Sequence, residues 1–272
     1  MRRVLGLLLV AGSVGAFSWD NVDMDKAVSG SVQLFKAAAG MSQAQEIQLG
    51  RGVASNLAAR YGLTDSTTRL QYLQRVGLTL VRRSSRPELP FHFGLLKSTE
   101  LNAYATPGGY VFVTEGLLDL LQDESELAGV LAHEITHVTH QHIVKAIRQA
   151  HLLGAGQDLA EASGKANLSA YAPLSSFSIH MLDQGLSRGD ELDADQGGMV
   201  LAANAGYDPH GLERVIERLK ARAPSDPLLS HFNKTHPAFD DRLKTLQKTF
   251  RKNHLKDDGQ RLPERFVGAL KP

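Results

Sequence analysis

Cysteine is absent from the 272-residue chain, which excludes disulfides, a thiolate nucleophile, cysteine-ligated zinc and a lipid-anchored lipoprotein. A chain of this length can bury a substantial core without disulfides, so their lack does not argue against export. An excess of charge is absent too. Thirty Lys and Arg stand against 29 Asp and Glu, for a net charge of +1, which argues against a nucleic-acid binder that works by neutralising phosphates. Long apolar runs are missing as well. Val4 to Ala11 is apolar but well short of the roughly 20 residues that span a bilayer, and no later stretch has the length and apolarity of a stable transmembrane anchor. The chain shows no internal repeat.

The first residues carry the marks of a targeting segment. Arg2 and Arg3 precede the apolar run, and Val14-Gly15-Ala16 supplies small residues before Phe17, the order of a cleaved signal peptide. This reading assigns residues 1–16 to the signal and 17–41 to a polar lead. A single domain spans 42–250, and 251–272 forms an exposed basic tail. It predicts a periplasmic protein, with secretion as the alternative.

Periodicity and turn residues predict an α+β, mostly helical domain. Ser42 with Gln45 resembles a capping box, and a helix from there reaches Tyr61, before Gly62. A second helix covers about Ser66 to Arg83. Three strands follow, Phe91–Lys97, Leu101–Ala105 and Tyr110–Val113, the last after the turn Pro107-Gly108-Gly109. Helices are then expected at Glu115–Leu121, from Asp123 to about Ala150, at Arg188–Ala205, at His210–Arg222 and after Pro237. The Gly-, Ala- and Ser-rich segment 154–178 reads as a mobile loop.

The chemistry centres on His133-Glu134-Ile135-Thr136-His137, the HExxH zinc pattern. Residues i and i+4 share a helix face, so two imidazoles can reach one ion. At about 100° per residue, Leu127, Val130, Leu131, Ile135 and Val138 make one apolar stripe. Glu134 falls inside that stripe and the histidines along its edge. A carboxylate there is costly unless partnered. A third ligand must come from elsewhere. His140 and His142 are near in sequence, but His140 lies two turns from His133 along a straight helix, and its identity breaks the metzincin extension HExxHxxGxxH. No acidic residue occurs between Glu134 and Asp158. Glu191 is the better candidate, with Asp195 one turn on to accept the second N–H of a ligating histidine. Gly198 and Ala202 continue that face and would let the two helices approach. The competing reading of Glu191 and Asp195 is an exposed acidic helix N-terminus.

Four blocks of this sequence resemble the M48 metallopeptidases, which include bacterial periplasmic proteases and the membrane-embedded CAAX-prenyl proteases. They are Glu46-Ile47-Gln48-Leu49-Gly50; Asn102-Ala103-Tyr104-Ala105 with Pro107 to Thr114; the HExxH helix with His142 after it; and Glu191-x-x-Ala194-Asp195 with Thr235-His236-Pro237 and Arg242. The resemblance covers about residues 42–250. It implies a zincin-like fold with the small sheet beside the HExxH helix, and a zinc endopeptidase with one Zn2+ per chain held by His133, His137 and Glu191. It places His236 near the metal, either stabilising an oxyanion or occupying the open position in a latent form, and gives Arg242 an orienting role. The branch it resembles is soluble and exported, without membrane spans or tetratricopeptide repeats.

Together these readings make Glu134 the group that takes a proton from the attacking water and passes it to the leaving amine. The substrates would be unfolded or misfolded polypeptides of the envelope, in protein quality control. Gly109, Tyr110 and Val111 are expected to offer an edge on which an extended peptide pairs; the alternative for that strand is an ordinary core strand. A proteolytically weak holdase for the same clients is the rival function. A deformylase is rejected because that chemistry uses a cysteine ligand. No role is assigned to His140, and the sequence does not specify an oligomeric state.

Overall fold

The computed structural model describes residues 41–152, 182, 184–223, 225–229, 232 and 236–270. The segments expected to be a signal, a lead (apart from Met41) and a loop at 154–178 therefore lie outside the described residues. No helix among the described residues is long and apolar enough to cross a membrane.

Helix α1 (Gln43–Tyr61) begins at the Ser42–Gln45 capping box and ends at Gly62, whose φ of 75° stops it. Helix α2 (Thr67–Val81) is capped by Ser66. Strands β1 (His92–Leu96), β2 (Ala103–Thr106) and β3 (Tyr110–Thr114) follow, with a 3-10 turn at Pro107–Gly109. Thr114 then caps α3 (Glu115–Leu120), and Asp123 caps α4 (Glu124–Thr139). The remaining helices are α5 (His142–Leu152), α6 (Arg188–Asn204), α7 (Gly211–Arg222), α8 (Phe239–Lys252) and α9 (Pro263–Leu270). The α+β, mostly helical expectation holds.

The sheet order is β1-β3-β2, with β3 parallel to β1 and antiparallel to β2. Side chains alternate across it, as a strand's period of two requires. Phe93, Leu95, Ala105, Val111 and Val113 face the large core built on α2, α4, α6 and α7. Leu96, Tyr104 and Phe112 face a smaller core closed by Leu49, Val53 and Leu57 of α1 and by Ile143 and Ile147 of α5. Helix α4 runs through the middle, buried from Glu124 to Val138.

Two expectations are corrected. The helix predicted from Asp123 to about Ala150 is two helices. His140 caps α4, and Gln141 sits at φ 57° before α5 starts. The left-handed conformation costs a non-glycine residue about 1–2 kcal/mol, and here the Gln141 amide donates to Glu46 Oε2 at 3.1 Å. Nothing local marks this break, because Gln is not a helix breaker. The tail after 250 is largely exposed, as expected, but it is not a bare extension. It forms α9, whose Phe266 is 2% exposed, and it returns two arginines to the N-terminus of α4. Arg261 pairs with Asp123 at 2.7 Å, and Arg265 donates to Glu124 through Nε at 2.6 Å. Asp123, Glu124 and Glu126 are buried at the positive end of a helix, where carboxylates are favoured. Arg218, at 2.8 Å from Glu126, and Tyr207, donating at 2.8 Å to Glu124, complete their pairing.

Candidate active site

His133 and His137 project from adjacent turns of α4, and their Nε2 atoms are 3.0 Å apart. Glu191, on the first turn of α6, faces them across the helix pair. Its Oε1 is 3.5 Å from His137 Nε2 and its Oε2 is 3.7 Å from His133 Nε2. Four ligands at about 2.0–2.1 Å around a tetrahedral ion stand about 3.3–3.4 Å from one another. The three side chains are therefore spaced as the edges of such a polyhedron. Glu191 is 3% exposed, and its Oε2 accepts no hydrogen bond from the described residues. A buried carboxylate oxygen without a donor is costly, and a cation at this point satisfies it. The residues fit zinc.

The close approach of α4 and α6 depends on small residues. A Cβ on Gly198 would lie 2.8 Å from the backbone nitrogen of His133. Gly198→Ala is therefore expected to push the helices apart, at a cost of about 1–3 kcal/mol, and to weaken metal binding. Thermal denaturation with and without zinc checks both effects.

Asp195, one turn beyond Glu191, lies 3.0 Å from His133 Nδ1. This is where a carboxylate fixes the ring so that Nε2 presents its lone pair. Arg242 of α8 donates to Asp195 through Nε at 2.9 Å and through a terminal nitrogen at 2.6 Å, a bidentate pair with both partners buried. Burial works to raise the Asp195 carboxyl, but Arg242 and His133 outweigh it and hold it well below the usual carboxylate range. His236, expected near the centre, has its Nε2 3.5 Å from Glu191 Oε2. Its Nδ1 faces the Phe232 carbonyl oxygen at 3.3 Å, and the two rings stack.

Burial lowers the pKa of His133, His137 and His236, so the imidazoles are neutral and present lone pairs. Burial pushes the Glu134 and Glu191 carboxyls up to about 8, with Arg242 pulling the other way in both. A carboxyl raised above its unfolded value contributes stability that is lost as pH rises toward its folded pKa. Above about pH 7 the imidazoles are neutral in folded and unfolded chains alike. Chelator-treated protein should therefore lose stability as pH rises from about 7 to about 8 and level off above that, whereas zinc-loaded protein should show no such loss, because a cation favours the charged carboxylate. Urea midpoints across that range, with and without chelator, test this.

Gly109, Tyr110 and Val111 do not offer the expected edge. Gly109 ends the turn before β3, and Tyr110 and Val111 belong to β3, the central strand, hydrogen-bonded on both sides. Gly109 (φ 99°) lies so close to Pro90 that a Cβ would come within 2.9 Å of its carbonyl oxygen. The Tyr110 ring stacks on His92 at 4.8 Å. The cavity at Glu134 and His137 is instead bordered by Asn102, Ala103, Tyr104 and Ala105. Hydrogen bonding leaves β2 at the margin of the sheet.

Sequence reasoning quoted Glu46 within a family-resembling block but gave it no role. It is 1% exposed, paired with Arg86 at 2.9 Å, and accepts from the Gly108 amide at 3.2 Å as well as from Gln141. It thereby ties α1 to the turn before β3 and to the end of α4. The available signal was an acidic residue at helical spacing from Leu49 and Val53, on the buried face of α1. His142, also left unassigned, has its Nδ1 2.9 Å from His137 Nδ1.

The sequence profile described as Peptidase family M48 matches residues 67–250. The chain is 31% identical over 214 residues to the beta-barrel assembly-enhancing protease of Escherichia coli (strain K12), covering 75% of this chain and 43% of that protein. It is 31% identical over 180 residues to the mitochondrial metalloendopeptidase OMA1 of Schizosaccharomyces pombe, covering 65% and 51% of the two chains. To the metalloprotease YcaL of Escherichia coli (strain K12) it is 26% identical over 234 residues, covering 80% and 87%. The chain spans less than half the length of the first of these relatives. The profile takes in the HExxH helix, Glu191, Asp195, His236 and Arg242, and the chain belongs to peptidase family M48, whose metallopeptidase domain it carries.

Proposed function

We propose that the protein is a zinc-dependent endopeptidase in which His133, His137 and Glu191 hold one Zn2+. The observation that carries this reading is the buried Glu191 oxygen, without a hydrogen-bond donor among the described residues and facing two neutral imidazoles at ligand spacing. When bound, zinc supplies Lewis-acid polarisation of the scissile carbonyl and acidifies water. Glu134 is the general base toward the attacking water and then the general acid toward the leaving amine. Its carboxyl must be ionised for the first step, and a neighbouring cation favours that form. Asp195 keeps the second proton of His133 in place, and Arg242 keeps Asp195 charged.

His236 has two possible roles, and its hydrogen bonding separates them. With Nδ1–H given to Phe232, the neutral ring keeps its lone pair on Nε2, toward Glu191. That tautomer suits a latent arrangement in which the ring fills the fourth ligand position. Stabilising an oxyanion requires a proton on Nε2, and hence a ring that gives up its Phe232 bond or takes a second proton.

Substrate recognition is assigned to β2 rather than β3. An extended peptide lying along Ala103–Thr106 would bind through its backbone, with little dependence on sequence, which suits unfolded or misfolded polypeptides. Envelope protein quality control in the periplasm, a signal at 1–16 and a catalytic domain at 42–250 complete the reading. It is tested by metal analysis of native protein. One zinc per chain is expected, lost together with hydrolysis of unfolded substrate in Glu191→Ala. Full zinc in that variant would remove Glu191 from the ligand set.

A further inference from the structure

A second group of metal-binding side chains stands beside the first. His140 Nδ1 is 2.5 Å and His142 Nε2 is 3.1 Å from one and the same oxygen, Asp193 Oδ2. Asp190 Oδ1 lies 3.8 Å from His142 Nε2. One ligand atom from each of His140, His142 and Asp193 falls within 4.8 Å of the others. The backbone builds this convergence. A continuous helix would carry residues 140 and 142 about 200° apart around its axis. The left-handed Gln141 between them brings both rings to the same carboxylate instead. His142 is buried, at 1% side-chain exposure, whereas His140 and Asp193 are 39% and 48% exposed. The latter two border a surface groove with Thr139 and Gln196, so an ion has a path from solvent.

We propose that His140, His142 and Asp193 form a second divalent-metal site, distinct from the His133/His137/Glu191 centre and antagonistic to it. Two imidazole nitrogens and one carboxylate oxygen suit zinc, nickel or copper rather than magnesium or calcium, which prefer all-oxygen sets. Three protein ligands leave further positions to solvent.

The antagonism follows from the contact between His142 Nδ1 and His137 Nδ1 at 2.9 Å, a distance at which two ring nitrogens share a single proton. When His137 binds an ion through Nε2, its proton sits on Nδ1 and is donated to His142. His142 then carries its own proton on Nε2, aimed at Asp193. An ion on that Nε2 sends the proton to Nδ1, where it meets the proton of His137. Each ion therefore weakens the other, by the same factor in both directions. The antagonism rests on the proposed zinc centre; the second site itself does not.

The test is equilibrium dialysis against increasing free Zn2+, with bound metal counted, on wild type, His140→Ala, Asp193→Asn and His133→Ala. Circular dichroism establishes that each variant is folded. Wild type should bind two ions in two separated steps, while His140→Ala and Asp193→Asn keep only the tighter one. His133→Ala should keep only the second site, with affinity raised about tenfold, the low end for a change in the groups supporting a metal ligand. Excess zinc should inhibit wild type and spare His140→Ala. A single ion in wild type and none in His133→Ala would remove the second site and leave the first intact. A single ion that survives His133→Ala but not His140→Ala would place the metal at the second site and overturn the His133/His137/Glu191 reading instead. Two ions whose affinities are unaffected by His133→Ala would overturn the antagonism.

Discussion

Glu134→Gln is expected to lower hydrolysis of casein or another unfolded protein by about 10²–10⁴-fold, the usual range for loss of general acid–base catalysis, while the protein keeps its zinc. The amide has the shape of the carboxylate and cannot take a proton from water. Glu134 lies on the same buried helix as both histidines, is 6% exposed and borders the cavity beside β2. The spacing of His133, His137 and Glu191 does not depend on its charge. Comparing zinc content and hydrolysis in the two proteins therefore isolates the proton transfer. Unchanged hydrolysis would take Glu134 out of the mechanism. The same pair of proteins separates enzyme from holdase. Equal protection of an aggregating client by both, with no cleavage products from either, would favour the holdase.

Arg242→Met is expected to destabilise the protein by about 3–5 kcal/mol, the cost of leaving a buried charge without its partner. Asp195 is fully buried, and both its oxygens are held by the Arg242 guanidinium. Without that cation Asp195 must take a proton or remain charged while buried. Either outcome loosens its hold on His133, so zinc affinity should fall alongside stability. Urea denaturation measures the first loss and competition with a chelator the second. The double variant Arg242→Met with Asp195→Leu should recover part of the stability, because no charge is then stranded, but not the zinc affinity. A single variant within 1 kcal/mol of wild type would show that Asp195 finds compensation elsewhere.

Much of this centre could be read along the chain, because helical periodicity carries spatial information. Glu134 inside an apolar stripe already implied a carboxylate held out of water, and it is buried. The four-residue step from Glu191 to Asp195, continued by Gly198, implied one face against α4, and Gly198 touches the His133 backbone. Pairing across long separations was less legible. Arg261 and Arg265 read as a solvated basic tail because their partners, Asp123 and Glu124, stand more than 130 residues away. Strand order was hidden for the same reason. A strand's own sequence does not say how many neighbours it has, and Tyr110–Thr114 turned out to be central rather than marginal. The break at Gln141 carried no local sign, and the hydrogen bond its side chain makes there is to the distant Glu46.

Glu46 belongs to a helix that lies before residue 67, where the family profile begins. Recombinant fragments trimmed to that boundary would strip Leu49, Val53 and Leu57 from one side of the sheet and leave Leu96, Tyr104 and Phe112 covered only in part, by Ile143 and Ile147. Such pieces should clump during expression even though every presumed zinc-binding side chain is still present. The stretch needed for folding should thus be longer than the stretch the family profile matches.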